Sequence, residues 1–63
     1  MSEYRAYLLD RNGRIVRAHE LLEEDDAHAL NRAAALQHEH GVEVWNLRRR
    51  VGRIDPQGRF LAS

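Results

Sequence analysis

Apolar and polar residues alternate over positions 3–9, with Tyr4, Ala6 and Leu8 on one side and Arg5, Tyr7 and Leu9 on the other. That is the period of a strand. A second alternating run covers 14–21, and Asp10-Arg11-Asn12-Gly13 between the two reads as a hairpin turn. The turn type decides which residues share a face, because a one-residue slip flips a strand. A two-residue Asn12-Gly13 loop would set Leu8 beside Arg17 and Ala6 beside His19. A type I turn with Gly13 in a left-handed bulge sets Leu8 against Val16 and Ala6 against Ala18. The second register is preferred: Asp is favoured at the first turn position, and Tyr4, Ala6, Leu8, Val16 and Ala18 then line one face.

The period then changes. Asp25 is the expected N-cap, with Glu23, Glu24 and Asp26 at the positive end of the helix dipole. His28 stands where a capping box would need Glu or Gln. Strong helix formers continue over 26–40, and Gly41 suits the C′ position. On a helical wheel Ala27, Leu30, Ala33, Ala34 and Gln37 share an arc with Leu36 at its edge, while His28, Arg32 and Glu39 face water. Residues 42–47 predict a third strand, 46–49 a turn and 50–54 a fourth strand, with Trp45 opposite Arg50 as one register. Pro56 and Gly58 end that strand, leaving 56–63 as a C-terminal tail whose Phe60 and Leu61 are apolar enough to dock.

The expectation is therefore an α+β domain over 1–55: ββαββ, a four-stranded, mainly antiparallel sheet with one helix packed on one face. Strand order stays open, and exchange of a hairpin between two chains fits the same pattern. At 63 residues there is room for one domain, which buries only about 60% of its unfolded surface. Self-association is an inexpensive supplement to so small a core. There is no cysteine, hence no disulfide or thiolate site, and no apolar run or leader, so a cytoplasmic setting without membrane contact is expected.

Charge changes this picture only locally. The ten basic residues are all arginine and balance ten acids, but residues 1–41 carry −3 and 42–63 carry +3. Arginine and alanine enrichment of this kind is what GC-rich coding produces. Tyr4-Arg5-Ala6-Tyr7-Leu8-Leu9-Asp10, Asp25-Asp26 before an Ala-rich helix, Val42-Glu43-Val44-Trp45, and Arg50-Val51-Gly52-Arg53-Ile54 together resemble a group of very short proteins from GC-rich proteobacteria. The resemblance spans about residues 3–55, departing at His28, where the group tends to have an acid, and in the longer tail. It implies a bacterial, cytoplasmic origin. The group has no assigned activity, so no functional residue is carried over.

Candidate chemistry is sparse. His38 and His40 stand about 200° apart on a helix and cannot chelate together while helical, so neither a metal nor another cofactor is expected. Nucleophiles are limited to Ser2, Ser63 and two tyrosines, and no glycine loop cradles phosphate, so no enzyme activity is expected. Two surfaces remain. One is the back of the first hairpin, where Tyr7, Leu9 and Ile15, rimmed by Arg5, Arg17 and His19 and joined by Trp45, form a protein interface for a homodimer or another protein. The other is the second hairpin, where Arg48, Arg49, Arg50 and Arg53 beside Trp45 offer nucleic-acid contacts. Net neutrality and the acidic helix favour the first.

Overall fold

The computed structural model describes residues 1–36 and 39–62. Strands β1 (Ser2–Leu9) and β2 (Ile15–Glu23) form the first hairpin, α1 (Asp26–Ala34) crosses the sheet, and β3 (Val42–Asn46) and β4 (Arg49–Ile54) form the second. A fifth strand, β5 (Phe60–Ala62), completes one open sheet in the order β2-β1-β3-β4-β5. Every neighbouring pair is antiparallel. The α+β class and the single helix agree with the sequence pattern; the count of four strands does not. The stretch read as a tail folds back, setting Leu61 opposite Arg53 and Phe60 opposite Ile54.

The helix is also shorter than its propensity suggests. Asp25 caps it, its Oδ1 accepting the His28 amide at 2.9 Å. It ends at Ala34 rather than His40, closed by Ala35 and Leu36 amides that reach back to Arg32 and Ala33. Nine residues, about 13 Å of helix, span the small core, and Leu36 then packs against it. Gly41 is therefore not a helix cap. It has φ +106° in the approach to β3, and a Cβ there would lie 3.0 Å from the Ile54 carbonyl. The buried helix face is Ala29 and Ala33, with Ala27 exposed, so the inward arc is rotated from the expected one. Gln37 and His38 lie outside the described residues.

The first hairpin combines the two registers considered. Gly13 (φ +80°) donates to Asp10 O at 3.0 Å, and the Asp10 amide donates to Arg14 O at 2.8 Å, as a type I turn with a left-handed glycine requires. Beyond it Leu9 pairs with Ile15 but Leu8 with Arg17, so Val16 is an extra, bulged residue. That bulge reverses the expected facing of β2. His19 and Leu21, not Val16 and Ala18, lie opposite Ala6 and Tyr4 on the helix side. A second bulge sets Trp45 against Arg50 but Val44 against Gly52.

The core lies between helix and sheet: Tyr4, Ala6, Val42, Val44 and Ile54 from the strands, Ala29 and Ala33 from the helix. Leu30 packs onto Gly52, where an added Cβ would sit 3.3 Å from Leu30 Cδ2. Small residues on both sides thus let the helix come close. No described helix is long and apolar enough to cross a membrane.

Candidate interaction surface

The sheet face away from the helix is organised in cross-strand rows. Strand pairing sets Ala18, Tyr7, Glu43, Arg53 and Leu61 side by side in one row, and Glu20, Arg5, Trp45 and Arg50 in the next. Residues directly opposite in an antiparallel pair share a face, so alternation along each strand places these side chains together. Tyr7 and Trp45 occupy diagonal positions across β1 and β3, and Trp45 lies between Arg5 and Arg50.

Polar contacts tie the rows. Trp45 Nε1 donates to Glu43 Oε1 at 3.3 Å, and Arg50 Nη2 lies 3.6 Å from Glu43 Oε2. Arg5 Nη2 lies 3.7 Å from Glu20 Oε1. Hydrogen bonding to Tyr7 and the charge interaction with it, and after these the charge of Glu20, hold Arg5 more firmly protonated than usual. Arg53 is half-buried, with its Nε shielded from solvent and lacking a hydrogen-bond partner among the described residues. Large amphipathic side chains lay their stems along this face and keep their heads wet.

The predicted interface residues separate. Tyr7 and Trp45 are half-buried on this face, and Ile15 is 56% exposed at the edge strand β2. Leu9, expected as an exposed anchor, is buried at 5%, and its amide donates to Gly41 O at 3.0 Å. The expected rim is also corrected, because the Val16 bulge moves Arg17 and His19 to the helix side. In their place the back of β2 carries Ala18, Glu20 and Leu22.

The four arginines of the second hairpin do not form one surface. Arg48 is exposed at the tip; Arg50 and Arg53 lie on the back face. Arg49 turns toward the helix, where Nη1 and Nη2 donate to the Asp26 carboxylate at 2.9 and 3.0 Å. The Tyr4 hydroxyl donates to the same carboxylate at 2.9 Å. Arg49 and then Tyr4 hold Asp26 below the usual carboxylate range, while burial and then the bond to Asp26 push the Tyr4 phenol up. Asp25 Oδ1 takes both the His28 amide, at 2.9 Å, and the His28 ring, at 2.7 Å; the amide and then the ring lower the acid, and the carboxylate in turn raises the imidazole. Both clusters fasten the start of the helix.

Sequence reasoning missed the exposed apolar residues at the mouth of an open groove of about 830 Å³. Leu47 and Leu22 line it, 78% and 62% exposed, together with Tyr7, Arg5, Glu3 and Arg48. Leu47 is the first residue of the two-residue β3–β4 turn and has φ 55°, a left-handed conformation that glycine would adopt freely. Holding leucine there costs about 1 kcal/mol or more. Nothing in the local pattern signals this, because leucine carries no turn preference.

Among the described residues no three His, Asp or Glu side chains come together as metal ligands. No protein-family model, curated protein or solved structure matches the chain.

Proposed function

We propose that this chain is a small non-enzymatic protein-interaction module that forms a homodimer through the sheet face opposite the helix. The observation that carries the reading is the contrast between a single helix on one face and an aromatic-arginine face, bordered by exposed Ile15, Leu22 and Leu61, on the other. Aromatic residues and arginine are the types enriched at interfaces. Tyr7 and Trp45 are its central anchors and Ile15 an edge anchor. Leu9 is not among them.

Light scattering after gel filtration tests this across a concentration series. The wild type is expected at twice the 7.3 kDa chain mass. Tyr7→Glu and Ile15→Glu are each expected to give folded monomers, with the far-ultraviolet circular dichroism of the parent. A dimer that survives both changes would overturn the assignment.

A further inference from the structure

Two features near the β3–β4 turn are not explained by the packing of the core. The backbone is strained at Leu47, yet its side chain is 78% exposed, at the edge of a groove that also contains Leu22 and Tyr7. On the rim of that groove stand one cation and one anion, Arg48 and Glu3, neither of which forms an ion pair with another described residue. Its other charges, Arg5 and Glu20, already face each other at 3.7 Å. The rim is thus electrically neutral, with one unmatched charge of each sign.

We infer that the groove receives a second copy of this chain, the Leu47 of each protomer entering the groove of the other beside the partner's Leu22. A two-fold axis makes this contact isologous, so each surface must complement itself. One unmatched cation and one unmatched anion satisfy that condition: Arg48 meets the partner's Glu3, and Glu3 meets the partner's Arg48. The same operation buries four exposed leucines. Strain at an exposed apolar tip then has a purpose, because a glycine would relax the turn and remove the anchor. This inference rests on the homodimer reading above and specifies its docking geometry.

The test is sedimentation equilibrium on the full chain. Arg48→Glu and Glu3→Arg should each raise the dimer Kd at least fivefold, and the double reversal should return it to within twofold of wild type. Leu47→Gly should raise Kd at least tenfold while raising the melting temperature of the dilute monomer, opposite signs that a merely structural residue would not give. Circular dichroism confirms that each variant is folded. If the dimer persists with unchanged Kd in all of these, this docking geometry is wrong and the homodimer reading stands. Failure of the double reversal to recover also overturns the geometry. A wild type that stays monomeric at millimolar concentration overturns both.

Discussion

The two faces of the sheet solve the same problem with opposite materials. Toward the helix the central positions are Ala6, Val44, Gly52 and Ile54, and all four are buried. Away from it the corresponding positions are Tyr7, Glu43, Trp45 and Arg53, each half-buried with no element over it among the described residues. Small residues permit a second layer, whereas large amphipathic ones partly cover the sheet themselves. Stability is therefore concentrated on the first face, and the proposed dimer would use the second.

The sharpest way to break this contrast is to truncate one residue from each face. Ile54→Ala removes a fully buried side chain and is expected to cost about 3 kcal/mol, most of what a domain this small possesses. Tyr7→Ala, measured in dilute monomer, is expected to cost under about 1 kcal/mol, since its surroundings already admit water. Urea titration of both variants measures the difference, and equal losses would erase the distinction. A smaller effect sharpens it: Gly52→Ala presses a methyl to 3.3 Å from Leu30 Cδ2 and the Leu61 carbonyl, with an expected cost of about 1 kcal/mol. Adding Leu30→Val should recover part of that if helix proximity is the cause.

The smallest effect is a pH dependence at the edge of the helical face. A carboxylate whose folded pKa is depressed adds stability above its ordinary value, here 3.8, and loses it as pH falls through the lower folded value. Asp26→Asn should therefore be less stable than wild type at neutral pH, with the gap closing as pH drops below that range. Denaturation curves at pH 7 and pH 2 measure it, and a gap constant with pH would remove Asp26 from the account.

The turn of the first hairpin and the start of the helix at Asp25 were legible. The helix end was not, because strong helix formers run on past Ala34 to Gly41, and the other failures have local causes. Asp10 to Arg14 and Asp55 to Arg59 share the pattern Asp-x-x-Gly-Arg and nearly the same bonds: each Asp Oδ1 accepts amides two and four residues on. The first reads as a turn. In the second, Pro56 reads as a strand terminator, although proline suits the second position of a type I turn, and β5 is lost from the reading. The bulges at Val16 and Val51 were not legible, because alternation gives no sign of which residue is left over. Their effect was large: one extra residue exchanged Arg17 and His19 for Ala18, Glu20 and Leu22 on the back face. Arg49 was misjudged for a different reason. Its partner Asp26 lies 23 residues away and already had a sufficient explanation as a helix-start acid.

That carboxylate also divides the stretch from Tyr4 to Arg49 almost evenly. Tyr4 is 22 residues before it and Arg49 is 23 after it, so the two closures cost nearly the same configurational entropy, about 3 kcal/mol each. Each hairpin can zip from its own turn, but neither gains the clamp until the helix start arrives. Assembly of the domain is then the meeting of two local ribbons at one shared acid, with no half of the chain privileged to go first.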